Sequence, residues 1–199
     1  QKKMGGEVSH DKFITKAGEF VHAFDLPNTC LSGGRAPITK HMLQKLRQRG
    51  VGLILTLLQD PLSGKPGEKL WNRCVTSESN EFVILDMDIG ETLNELGLQS
   101  HHLKIIDGSV PSVDDMHRTL TVIYEFRAEH PNEKIFVHCW GGRGRTSMIL
   151  IVLLHALYNM SSEDAMRFVG IHNHMLPANA DLSWFTESQR AFLSSVIKQ

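Results

Sequence analysis

The run Ile135-Phe-Val-His-Cys-Trp-Gly-Gly-Arg-Gly-Arg-Thr146, with the apolar stretch behind it, constrains this chain more than any other segment. Lys134 to His138 reads as a short buried strand, followed by a glycine-rich turn and a helix beginning near Arg145. The helical stretch from Thr146 to Tyr158 is apolar almost all round, so it belongs in a core. At a junction between a strand end and a helix start, several backbone N–H groups converge on one point. The helix dipole adds partial positive charge there. Such a nest suits an anion with the geometry of phosphate. Cys139 stands at its mouth and Arg145 closes it.

The residue types specify a chemistry. A thiolate is a strong nucleophile, and a helix N-terminus with neighbouring cations favours that form of a cysteine. The planar fork of Arg145 can hold two phosphate oxygens at once. Gly141, Gly142 and Gly144 let the backbone approach those oxygens closely. The Thr146 hydroxyl is expected to hydrogen-bond the Cys139 sulfur. Together they read as a site for covalent phosphoryl transfer.

His138-Cys139, five residues, then Arg145-Thr146 resembles the signature of the cysteine-dependent protein tyrosine phosphatase superfamily. The compact chain is most similar to its dual-specificity branch. The rival reading of Cys139 as a structural cysteine beside a turn explains neither Arg145-Thr146 nor the strand-to-helix context. Ser147 departs from the Gly that many members carry, a change tolerated at a helix start.

The chain has 199 residues, enough for one domain with a substantial core. Lys plus Arg (21) nearly balance Asp plus Glu (22), so no global field points to nucleic acid or to a membrane surface. Any preference for anions must be local to the site. Cys30, Cys74 and Cys139 are odd in number and widely spaced, which makes no disulfide framework or zinc set and favours a reducing, cytoplasmic setting. No secretory leader is visible, and the longest apolar run, Met148 to Leu154, is too short to span a bilayer.

Residues 1–16 read as a flexible N-terminal arm and residues 17–199 as a single phosphatase domain. Phe20 to Phe24 fits a short strand or a helical turn equally well. Asn28 to Gly33 reads as a strand, Ile38 to Arg49 as a helix stopped by Gly50, and Val51 to Leu58 as a fully buried parallel strand. Residues 59–100 exceed what compact relatives need and read as a family-specific insertion. Within it, Gln59 to Gly67 is a loop, Glu68 to Val75 a short helix and Glu81 to Asp86 β-like. Asp86, Asp88 and Glu91 around Gly90 suit helix N-terminal charge better than a metal site.

Leu103 to Ile106 reads as a buried strand ending in Asp107-Gly108, with Pro111 in the loop beyond. Ser112 then caps an amphipathic helix from Val113 to Glu129. Phosphoryl transfer needs a proton donor for the leaving oxygen, and a loop Asp can supply it. Ile106-Asp107-Gly108 with Pro111 resembles the general-acid loop of the dual-specificity branch, so Asp107 takes that role, with Asp114 or Asp115 as alternatives. Ser161 or Ser162 caps a helix running to Val169, and Gly170 to Asp181 reads as a loop. His172 and His174 with His138 raise a metal hypothesis, but no cysteine or carboxylate completes a ligand set. Ser183 to Lys198 is the last helix. There the resemblance implies that Gln189 helps position the hydrolytic water; an exposed helical Gln is the plain alternative.

The resemblance implies a two-step mechanism. Cys139 attacks phosphorus, while Arg145 and the loop N–H groups hold the equatorial oxygens. Asp107 protonates the leaving group and then activates water. His138 orients the loop and stabilises the thiolate. No metal or cofactor is required. For substrate, Trp140 offers an apolar rim, and Trp140-Gly-Gly is closest to loops of kinase-associated phosphatases acting on phosphoproteins. Arg143 adds a second cation and keeps phosphoinositides in play, whereas no broad basic face supports RNA. A phospho-binding pseudophosphatase would have lost Cys139 or the acid. A redox protein would want a resolving cysteine nearby. A peptide groove would not be built from Gly-Gly-Arg-Gly-Arg. The fold implied is α/β, one domain, with a central, mostly parallel sheet of four or five strands and helices on both faces.

Overall fold

Strand β7 (Lys134–His138) shows why the sheet must be covered on both faces. Ile135 and Val137 join one hydrophobic cluster and Phe136 the other, all three fully buried. Alternation along a strand sends successive side chains to opposite faces, so a strand apolar at every position needs a layer above and a layer below. The computed structural model describes residues 23–71, 82–85, 87–173 and 184–196. The order along the main sheet is β1 (Ala23–Asp25), β2 (Leu31–Gly34), β7, β3 (Val51–Thr56), β6 (Gln99–His102). Only β1 runs antiparallel to its neighbour.

One face is packed by α3 (Val113–Glu129), α4 (Gly144–Tyr158), α5 (Ser162–His172) and α6 (Glu187–Val196), through a cluster that includes Leu53, Leu55, Ile123, Leu150 and Val169. Against the other face lie α1 (Lys40–Gln48) and α2 (Ile89–Glu95), with Leu43, Leu46, Ile54, Ile89 and Leu93. The helix starts follow their side chains. Thr39, Asp88, Ser112 and Ser161 each accept a backbone N–H of the first turn of α1, α2, α3 and α5. Asp88 and Glu91 are thus helix N-terminal charge, as the sequence reading preferred. At the foot of the sheet Asp25 bridges Arg49 at 2.6 Å and Lys134 at 3.2 Å, tying β1 to the start of β7.

The predicted α/β architecture is present, with five strands in the main sheet, and several elements differ from the sequence reading; the strand read from Asn28 starts at Leu31, and the one read to Leu58 ends at Thr56. The strand expected over Leu103–Ile106 lies one step earlier, at Gln99–His102, where it pairs with β3. It carries Gln, Ser and two His rather than an apolar run because it is an edge strand, half exposed. The helix expected from Glu68 is instead strand β4 (Lys69–Trp71), paired antiparallel with β5 (Phe82–Ile84). Helix α5 continues to His172 rather than ending at Val169, because Gly170 is tolerated inside it. The last helix begins at Glu187, after Trp184 to Thr186 have turned the chain. Of the uncertain stretch near Phe24, Ala23–Asp25 is strand. The N-terminal arm, Cys74, Asp86 and His174 lie outside the described residues.

Candidate active site

The central strand delivers the loop. β7 is flanked by β2 and β3, and Leu57 N–H donates to the His138 carbonyl at 2.8 Å, so the strand end is fixed on leaving the sheet. Cys139 is 4% exposed. Its sulfur accepts the Gly142 N–H at 3.3 Å. The Thr146 hydroxyl does not serve the sulfur as the sequence predicts; it accepts the Cys139 backbone N–H at 2.9 Å and ties the loop's two ends together. The loop has to fold tightly over the end of β2. Gly142 has φ +74°, and a Cβ there would lie 2.6 Å from the Gly34 carbonyl carbon. Only glycine meets both conditions. Trp140 adds a second tie, its carbonyl accepting the Ala36 N–H at 3.2 Å.

His138 is fully buried. Its Nδ1 lies 3.2 Å from the Cys139 carbonyl and its Nε2 2.9 Å from Thr56 Oγ1. A carbonyl only accepts, so Nδ1 carries the proton and Nε2 accepts from the threonine hydroxyl. Burial pushes the imidazole down to about 4, against a stabilising contact with the Cys139 carbonyl, with Arg145 and His102 repelling its charged form. His138 is therefore held neutral, bonded to the loop's first carbonyl and to β3.

Arg145, in the first turn of α4, reaches back across the strand ends. Its Nη1 donates to the carbonyls of Ile105 at 3.0 Å and Leu57 at 3.3 Å, and its Nη2 lies 3.0 Å from Asp107 Oδ1. Nε is the one buried side-chain nitrogen or oxygen among the described residues without a hydrogen-bond partner. A buried donor left unpaired costs about 1–3 kcal/mol, a cost tolerated where a ligand will supply the partner. Nε and Nη2 form one edge of the guanidinium, the edge that binds two oxygens of an oxyanion.

Asp107 and Gly108 make a turn, closed by Ser109 N–H on the Ile106 carbonyl at 2.9 Å. The turn sets Asp107, the candidate acid, against Arg145, while Asp114 and Asp115 stand in the first turn of α3, where Asp115 pairs with Ser112 and Arg118. The start of α6 holds the acid turn: the Thr186 and Ser188 hydroxyls donate to the Gly108 carbonyl at 2.7 and 3.2 Å. Gln189 is buried, donates to the Ser109 carbonyl at 3.2 Å, and its Oε1 would lie 3.6 Å from a Cβ at Gly144. It is bonded to the Asp107 loop and lies beside the cysteine loop at Gly144. Trp140, Gly141, Arg143 and Gly144 are half-buried around the rim.

Two further groups escape a sequence reading. One is the Thr186–Ser188 pair. The other is Asn173, 1% exposed, whose amide donates to the Gly142 carbonyl and to Ser147 Oγ. It lies in what reads as a His-, Asn- and Pro-containing loop, and no sequence signal singles it out. His172 lies on α5 with its ring edge-on to Phe168, 4.8 Å between centroids. Among the described residues no group of three or more His, Cys, Asp or Glu could hold a metal ion. No helix among them is long and apolar enough to cross a membrane.

Comparison with known proteins bears on the family and the fold. No curated protein matches the sequence. Among solved structures the chain is similar to PTPMT1 in complex with PI(5)P, with TM-score 0.63, 17% identity, and coverage of 88% of this chain and 94% of that one. It is similar to Tk-PTP in the active form, with TM-score 0.61, 18% identity, and coverage of 88% and 97%. The kinase associated phosphatase (KAP) follows with TM-score 0.57, 16% identity, and coverage of 82% and 83%. At these identities the likeness is one of fold. The family model that matches residues 31–157 is described as "Polymorphic toxin system, DSP-PTPase phosphatase", and the chain belongs to that family of dual-specificity-type phosphatases.

Proposed function

We propose that the chain is a cysteine-dependent phosphomonoester hydrolase that works through a phosphocysteine and acts on phosphorylated proteins. The observation that carries this is that one strand-to-helix loop holds both the Cys139 sulfur, under the Gly142 N–H, and a buried Arg145 whose Nε lacks a partner among the described residues. In the first step Cys139 sulfur bonds to phosphorus as the P–O ester bond breaks. The Arg145 edge and the loop N–H groups hold the equatorial oxygens, and Asp107 gives its proton to the leaving oxygen. In the second step water gives a proton to Asp107 and its oxygen bonds to phosphorus, which releases the thiolate. Gln189, between the two loops, is suited to orient that water. Thr146 holds the loop closed, and Gly141, Gly142 and Gly144 leave room for the oxygens.

A phosphoprotein substrate is favoured by the apolar rim. Trp140 is half-buried there, and Ile106, next to the acid, is 52% exposed. Free thiols at Cys30 and Cys139 support a reducing, cytoplasmic setting. The second reading, a phosphoinositide, is supported by Arg143 in the loop and by the PI(5)P complex of PTPMT1. Phosphate release from phosphotyrosine and phosphothreonine peptides, phosphoinositides and triphosphate-ended RNA, with Cys139→Ser as blank, tests both. Turnover of peptides supports the first reading and preference for inositol lipids the second. A panel with no Cys139-dependent turnover refutes the enzyme.

A further inference from the structure

We propose that Asn173 is a positioning residue for the nucleophile loop, acting through Gly142; this rests on the phosphatase reading of the site. Asn173 ends α5, its backbone N–H bonded to the Val169 carbonyl at 2.8 Å. Its side-chain nitrogen donates to the Gly142 carbonyl at 3.1 Å and to Ser147 Oγ at 2.8 Å. All three residues are buried, so these bonds are made away from competing water. The Ser147 hydroxyl is the second acceptor for this amide.

Gly142 is thereby held on both sides. Its N–H points to the Cys139 sulfur and its carbonyl to Asn173. The peptide joining Gly142 to Arg143 is trans, as are all those described, so its carbonyl and the Arg143 N–H point in opposite directions. Drawing the oxygen toward Asn173 keeps the negative end of that dipole away from the sulfur and turns the Arg143 N–H the other way. A glycine has wide backbone freedom, and among the described residues the Asn173 amide is the hydrogen-bond donor that holds the Gly142 carbonyl. A carbonyl rotated toward a thiolate or an oxyanion would repel both. Asn173 thus guards the electrostatics of the cradle from outside it.

The test uses Asn173→Ala and Asn173→Leu, the latter removing the donor while filling a similar volume. Two readouts need no turnover, so they remain informative if the protein has no phosphatase activity. The first is the pH profile of Cys139 alkylation by iodoacetamide, followed on the Cys139 peptide by mass spectrometry. The second is tungstate affinity by calorimetry. Loss of the amide is expected to move the alkylation midpoint upward, slowing the reaction at about pH 6 by about three- to tenfold, with a similar loss in tungstate affinity. Ser147→Ala, which leaves the bond to Gly142 intact, is expected to overlay the wild-type alkylation profile. Variants that melt earlier yet match wild type in both readouts would overturn the proposal. A measurement on the unmodified protein guards against variants that fail to fold: the Asn173 carboxamide proton resonances should shift when tungstate binds, and unmoved resonances would also overturn it.

Discussion

Acidification should uncouple His138 from the fold over a defined range of pH. Burial holds the imidazole near 4 against an ordinary 6.5, a gap of about 2.5 units worth roughly 3 kcal/mol by proton linkage. The folded value lies below the unfolded one, so the unfolded chain takes up the proton first as pH falls. The stabilisation is therefore fully present above about 6.5, declines between 6.5 and 4, and falls no further below that. The penalty is desolvation rather than a broken bond, since the Thr56 hydroxyl at Nε2 can turn to accept from a protonated ring. Urea unfolding from about pH 7 to 4.5 on the wild type and on His138→Gln isolates the effect. His101, held low by burial and by His102, and Asp25 titrate in both proteins and cancel in the difference. The wild type should lead at neutral pH, and by pH 4.5 its lead should shrink by about 2.5 kcal/mol. A lead constant to within about 0.5 kcal/mol would refute the assignment of a neutral, buried imidazole.

Gly142→Ala forces a side chain into positive φ and against the Gly34 backbone, so it should abolish phosphate release and lower unfolding stability by about 2–3 kcal/mol in urea titrations. Asp107→Asn should lower kcat by about 10²- to 10³-fold on a phosphotyrosine peptide, and far less on an aryl phosphate whose leaving group needs no proton, in parallel steady-state assays. Thr56→Val leaves Nε2 of His138 without a donor and should cost about 1–2 kcal/mol in the same urea titration. Burial pushes the Asp25 carboxyl up, but Arg49 and Lys134 outweigh it and hold it below 3.8. Its contribution is thus present above that value and lost as pH falls through the lowered one. Asp25→Asn should cost only about 0.5–1 kcal/mol at neutral pH, less in high salt, because the pair is partly exposed.

The parts legible from sequence were those where a local rule and the tertiary demand coincide. Ser112 with Asp115 marks the start of α3, and the unbroken apolar run of Val51–Thr56 announces a strand covered on both faces. The loop from Cys139 to Arg145 was legible because its chemistry and backbone geometry are written in adjacent residues. Edge strand β6 was not, since one open side removes the need for an apolar pattern, and the more apolar Leu103–Ile106 drew the reading past it. Nor were the contacts that join distant segments. Arg145 with the Ile105 carbonyl, Thr56 with His138 and Asn173 with Gly142 are set by packing, and polar residues such as Thr56 and Asn173 look the same in sequence whether they brace a site or face water.

The order of strands also decides when the site can come into being. Among the described residues β7 is the last strand along the chain, yet it occupies the middle of the sheet, between β2, whose Ser32 hydroxyl donates to the Ile135 carbonyl 103 residues away, and β3. Until β7 inserts, β2 and β3 have no partner joining them, and the Cys139 loop has no Gly34 backbone to pack on or Leu57 carbonyl for Arg145 to grip. Pairings of such long sequence separation are slow to close. A nascent chain that has emerged only through α3 therefore holds the Asp107 turn without Cys139. Regain of activity on refolding should accompany completion of the whole sheet, with no active fragment preceding it.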